Sequence, residues 1–189
     1  MGGTILVRMT YITSHPALWM MGWGLWLLAT GSLVLLFYAS LELCVRPSRL
    51  ISWLPLVFAI LGAVPDAIGV SVQLSALPHL AAQSASPFAT PLFELMDRLS
   101  IAFTGFLNNF WYGLGFLTLA PCLRQAGMPA WLIRGSIGLG GITLLLSLAA
   151  LLHHQALLLL TTGLTMAGFV LWSFGLGWYA LHARLGHRR

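Results

Sequence analysis

The chain has 189 residues, of which 59% are hydrophobic and only 7% charged, and its mean hydropathy is +0.90. A soluble domain needs about a quarter of its residues charged to cover its surface, so this composition excludes a water-facing globule and leaves lipid as the medium that the surface meets. The net charge is +5, carried by nine Arg against four acidic residues; the Arg residues are scattered rather than gathered into a basic footprint, which argues against a nucleic-acid partner.

A spanning helix takes about 20 apolar residues. About five such helices with short loops use up the chain, and no segment remains for a separate soluble catalytic domain. The expected fold is an all-α integral membrane bundle of about five transmembrane helices, forming one domain over residues 1–189.

Residues 1–16 form a short polar-mixed lead with Arg8 and His15-Pro16. The first helix is expected over about 17–43. Its Trp19, Trp23 and Trp26 share one face. Indole rings favour the headgroup level, so Trp19 and Trp23 are expected at a membrane boundary and Trp26 is expected to pack more deeply. The segment is too long for a signal-peptide apolar region and no A-x-A-like cleavage site follows it, so it reads as a retained helix. Arg46-Pro47-Ser48-Arg49 forms the turn, with Glu42 placed to pair with Arg46 four residues on.

The second helix is expected over about 50–77. It contains Pro55, and Pro65-Asp66 near its middle, where a proline removes one backbone bond and bends a helix. Residues 78–98, with Pro78, Pro87 and Pro91, read as the longest loop and as lying outside. Its end reads as a short interfacial helix near 91–98. Pro91 suits a first helical turn, Glu94 and Arg98 are spaced to pair, and Leu92, Leu95, Met96 and Leu99 give an apolar side. The third helix follows over about 99–120, and residues 121–129 turn the chain. The fourth helix, about 130–152, is rich in glycine (Gly135, Gly138, Gly140, Gly141), which reads as close helix packing. His153-His154-Gln155 is a tight turn, the fifth helix covers about 156–181, and the tail from His182 to Arg189 is basic.

Orientation follows from the Arg distribution. In a five-helix arrangement Arg46, Arg49, Arg124, Arg134, Arg184, Arg188 and Arg189 share one side, and only Arg8 and Arg98 lie on the other. The N-terminus is therefore expected outside and the C-terminus in the cytoplasm.

Asp66 is the most informative residue. A charged group near the middle of a spanning helix costs about 2.5–3.5 kcal/mol on insertion scales and normally faces the bundle interior with a partner. Gly62, Asp66, Gly69 and Gln73 fall on one helical face, a small-and-polar stripe suited to a helix contact or a hydrated cavity. Asn108 and Asn109 lie near the middle of the third helix, at the depth of Asp66 if the two helices are antiparallel. Thr104, Asn108 and Tyr112 continue that face. The candidate intramembrane cluster is thus Asp66, Gln73, Thr104, Asn108 and Asn109. It is open to two readings: a proton, ion or polar-ligand site, or an interhelical hydrogen bond that fixes the packing.

His15, His79, His153 and His154 fall on the outer side with Glu94 and Asp97, so helix ends there are candidate ligands for a metal or haem. No pair has metal-motif spacing, and the adjacent His153 and His154 point apart on a helix. Cys44 and Cys122 form no CxxC and read as apolar fillers. No GxSxG, Walker loop or GxGxxG after a strand is present.

The stretches His15-Pro16-Ala17-Leu18-Trp19 to Trp26, Pro65-Asp66-Ala67-Ile68-Gly69 and Gly105-Phe106-Leu107-Asn108-Asn109-Phe110-Trp111-Tyr112-Gly113 resemble small multi-pass membrane proteins of uncharacterised bacterial families. The resemblance implies a bacterial inner membrane and no particular activity. Five helices and eight Trp are also similar to the tryptophan-rich sensory (translocator) proteins, which bind porphyrins and sterols; the Trp- and Pro-bearing pattern of that family around its first loop is missing here, and the likeness is one of analogy.

The expectation is a non-enzymatic membrane protein that binds or passes a small solute or serves as an accessory subunit. Its medium is the lipid bilayer, and a membrane-protein partner or a homo-oligomer is left open. The alternative is a membrane enzyme or redox carrier using the outer His residues with haem, metal or quinone; the sequence specifies no cofactor.

Overall fold

A computed structural model describes residues 5–44 and 50–186. Among them the chain is all-α, in the order α1 (Ile5–Ser14), α2 (Pro16–Leu43), a 3-10 turn (Leu50–Trp53), α3 (Leu54–Ser71), α4 (Leu77–Ala82), α5 (Ala89–Ile101), α6 (Asn108–Gln125), α7 (Ala130–Leu151) and α8 (Gln155–Gly186). π-helical segments, Val72–Ala76 and Ala102–Leu107, join α3 to α4 and α5 to α6 without a break. Five long rods result: α2, α3–α4, α5–α6, α7 and α8. The turn holding Arg46 and Arg49, with the expected Glu42–Arg46 pair, lies outside the described residues, as do the last three residues of the tail.

Among the described residues four helices are long and apolar enough to cross a membrane: Pro16–Leu43, Leu54–Ala82, Ala130–Leu151 and Gln155–His182. The rod over residues 89–125 is not among them. Thr104, Asn108 and Asn109 fall at its middle, and it lies between α3 and α7, the two helices it packs against most extensively. A rod enclosed by other helices needs fewer apolar residues than one bathed in lipid.

The rods pack antiparallel in succession. Along α3 and its neighbour, a Cβ on Gly62 would sit 2.6 Å from the Tyr112 ring, and one on Gly69 would sit 2.5 Å from Thr104 Cγ2 and 3.0 Å from the Ser100 carbonyl. Only glycine permits so close an approach. Gly113 and Gly140 do the same between α6 and α7, each facing the carbonyl of the other at about 3 Å. The glycine expectation for α7 needs correction here. Gly135 packs under Trp172 and Gly140 under Leu117, but Gly138 and Gly141 face open space.

The stretch read as a loop over 78–98 is mostly helix. The second rod runs through Pro78 to Ala82 and the third begins at Ala89, leaving residues 83–88 as the connection. Pro78 stands in the first turn of α4, just after the π-helical segment, where its missing N–H and its ring are accommodated. In α5 the apolar residues Leu92, Leu95 and Leu99 point outward, Glu94 pairs with Arg98 at 2.6 Å, and Phe93, Asp97 and Ser100 are buried.

The N-terminal lead is also helical. α1 lies against α4, α5 and the start of α2, burying Met9 and Ile12 with Trp19, Leu77, Ala81, Ala89 and Phe93. Trp19 is thereby 3% exposed, not at an open boundary. Its indole N–H donates to the Gln73 carbonyl at 2.7 Å, a group that the π-helical segment turns away from regular helical bonding. At the other end of the bundle a second apolar cluster holds Phe37, Phe116, Leu119, Leu123, Leu132, Trp172 and Leu176. The polar residues lie between these two clusters.

Candidate functional site

Asp66 stands midway along the Leu54–Ala82 rod and is 2% exposed. Its Oδ1 accepts hydrogen bonds from Trp26 Nε1 and from Asn108 Nδ2, each at 3.0 Å, and its Oδ2 contacts the Thr30 hydroxyl. Trp26 and Thr30 are one turn apart on α2, so a single helix face delivers both. Asn108 arrives from α6 because Gly62 and Gly69 bring α3 close to that rod. Thr30 has one hydroxyl proton and two acceptors in reach, Asp66 Oδ2 and the Trp26 carbonyl at 3.1 Å.

The other members of the expected cluster do not touch Asp66. Asn109 donates through Nδ2 to the Thr104 and Gly105 carbonyls and to Asn108 Oδ1, which holds the Asn108 side chain in place. Thr104 donates to the Ser100 carbonyl one turn back. Gln73 donates to Ser100 Oγ at 2.8 Å, and Ser100 in turn donates to the Gly69 carbonyl at 3.0 Å. These residues form a second polar layer beside the π-helical segments, and its bonds tie the second and third rods together.

A cavity of about 80 Å³ opens beside Asp66. One water needs about 10–15 Å³ on this measure, so several waters or a small ligand group fit. Trp26, Asp66 and Asn108 line one part of it; Leu33, Phe116, Met166 and Phe169 give apolar wall. Three further lining residues, Tyr112, Thr143 and Thr165, are 5%, 1% and 7% exposed. The Thr143 and Thr165 hydroxyls are buried and form no hydrogen bond, and the Tyr112 hydroxyl lies beside the Asp66 carboxyl. Helical threonines usually return their proton to the carbonyl four residues back, as Thr118, Thr161 and Thr162 do here. Thr143 and Thr165 do not.

Sequence reasoning missed Thr30, Thr143 and Thr165 and took Trp26 for a packing residue. The one available signal was the spacing of Trp26 and Thr30 on the face begun by Trp19 and Trp23.

The four histidines expected on the outer side do not gather into a metal site among the described residues. His15 stacks on Tyr11 and bonds Ser14, His79 bonds Gln83, His153 takes the positive-φ position of the turn, and His154 Nδ1 accepts the Leu157 N–H at the start of α8. Among the described residues no three His, Cys, Asp or Glu side chains are placed to hold a metal ion together. Cys44 and Cys122 are free thiols packed in the apolar cluster.

No family model, curated protein or solved structure matches the chain.

Proposed function

We propose that this is a five-span protein of a bacterial inner membrane, N-terminus outside and C-terminus cytoplasmic, that binds a small solute in the cavity beside Asp66. The observation that carries the reading is a cavity of about 80 Å³ beside the buried Asp66, lined also by Thr143 and Thr165, whose buried hydroxyls have no partner. A buried polar group without a partner costs about 1–3 kcal/mol; two beside one cavity are a cost that packing glue does not require and that a bound solute removes. The fifth span is the rod over residues 89–125, enclosed by α3 and α7, and the orientation rests on seven of nine Arg lying on one side.

Reporter fusions at Arg189 and near Ser84 are expected to give opposite answers, the first cytoplasmic and the second external. Both on one side would remove the five-span arrangement. For the cavity, a panel of small membrane-permeant solutes is scored by thermal shift on the protein in nanodiscs. At least one solute should raise the unfolding temperature of wild type and fail to raise that of Thr143→Leu and Thr165→Leu, whose larger side chains fill the space. If no solute shifts wild type, or if the filled variants respond equally, the solute reading is refuted.

A further inference from the structure

Two properties of the cavity beside Asp66 set the class of solute that it takes. The first is polarity. The Asp66 carboxylate is already engaged: Trp26, Asn108 and Thr30 bond its oxygens, and the Tyr112 hydroxyl lies beside it. The surface left open to the cavity is almost wholly carbon, with Leu33, Phe116, Met166 and Phe169 in its wall. A charged or strongly polar group brought against that wall loses its hydration and gains no partners. The polar cluster serves the cavity from behind. Asp66 Oδ1 holds the Trp26 N–H at 3.0 Å and so fixes an indole ring that forms part of the wall. An apolar cavity with room for several waters belongs to the class that takes benzene or xenon.

The second property is what the wall offers beyond area. The cavity draws its outer lining from α2 and α8, which touch each other only sparsely and are the least buried of the long apolar helices. Ala29 and Met166, one from each helix, are both lining and exposed. The opening therefore lies between α2 and α8 and faces the lipid. Lipid tails are as apolar as leucine, so a solute offering only hydrocarbon area gains nothing over the acyl chains around it. Three aromatic side chains, Trp26, Phe116 and Phe169, line the cavity together with the Met166 thioether. Ring against ring, and thioether against ring, gain energy beyond the area they bury. An aromatic solute has that gain and an acyl chain does not.

We infer that the cavity takes an uncharged, lipid-soluble molecule by its aromatic ring. The ring enters from the bilayer between α2 and α8 and lies among Trp26, Phe116, Phe169 and Met166. This rests on the cavity being a solute site and names the chemistry of the solute.

The test is photolabelling of the full chain in phosphatidylcholine nanodiscs with 3-phenyl-3-(trifluoromethyl)diazirine, whose carbene marks the side chains it lies against, read by mass spectrometry. Phe116 is 2% exposed and lines the cavity, so a label there reports entry rather than contact with bulk lipid. Toluene, methylcyclohexane and benzylammonium then compete at equal mole fraction in the bilayer. Methylcyclohexane matches toluene in size but is saturated. Toluene should suppress the Phe116 label at a concentration about fivefold or more below that of methylcyclohexane, the scale of one aromatic pair. Benzylammonium should compete no better than methylcyclohexane. Phe169→Leu keeps the wall apolar and removes one ring, so it should narrow the toluene preference about two- to threefold. The full preference retained by Phe169→Leu overturns the placement of the ring. Methylcyclohexane as effective as toluene overturns the aromatic class while leaving an apolar solute site standing, and benzylammonium as effective as toluene overturns the uncharged class. If Phe116 takes no label, or if no competitor reduces it, the inference is overturned; the solute site falls with it only if the panel of solutes also leaves wild type unshifted.

Discussion

Asp66→Leu should destabilise the protein by about 2–4 kcal/mol, while Asp66→Asn should remain close to wild type. The leucine leaves Trp26 Nε1 and Asn108 Nδ2 without the acceptor they share at 3.0 Å, and removes the acid that contacts Thr30. Two factors limit the cost. The adjoining cavity admits water, which can take over part of the bonding, and hydrogen bonds between membrane helices are worth less on average than burial suggests, about 0.6 kcal/mol each. Asparagine keeps one carbonyl oxygen for the indole and the amide, and its own N–H₂ meets the Thr30 oxygen. Equilibrium unfolding in mixed micelles measures both variants. A leucine variant within about 0.5 kcal/mol of wild type, the scatter of an ordinary surface change, would show that the cluster contributes nothing to holding α2, α3 and α6 together.

The long apolar helices were legible from composition alone, because a chain with so few charges has few other ways to meet its surroundings. The meeting of Asp66 with Asn108 follows from arithmetic: both stand near the middle of neighbouring antiparallel rods, so both reach the same depth. What the sequence did not show has physical causes. Pro78, Pro87 and Pro91 read together as a loop, yet Pro78 and Pro91 each sit in a first helical turn where proline costs little. No residue marks a π-helical segment in advance, so the carbonyl of Gln73 was not expected to need Trp19 as donor. Thr143 and Thr165 look like any helical threonine until the missing bond to the previous turn is seen. Trp26 sits in an apolar helix and was taken for packing because an indole serves as readily for area as for its N–H. The histidines shared a side by helix direction, but a common side does not set lateral distance, and His15, His79 and His154 each found a local partner.

Arg8→Ala is expected to produce the other large effect, about 3–5 kcal/mol, the cost of leaving one member of a buried ion pair without its partner. Arg8 on α1 pairs with Asp97 on α5, with side chains 14% and 12% exposed, and the guanidinium carbon lies 5.9 Å from the centre of the Trp19 ring. Removing the arginine strands the Asp97 carboxylate beneath α1, beside Phe93 and Met96. The pair itself is incompletely satisfied, since Arg8 Nε and Asp97 Oδ1 are buried without partners. Desolvation therefore offsets much of its attraction, and an apolar pair of similar volume should serve nearly as well. The expected order is wild type and Arg8→Met/Asp97→Leu close together, with each single variant well below them. A double-mutant cycle on the unfolding free energy gives the coupling directly. If the double variant loses as much as the sum of the singles, the two charges are uncoupled, and α1 is held by the contacts of Met9 and Ile12 alone.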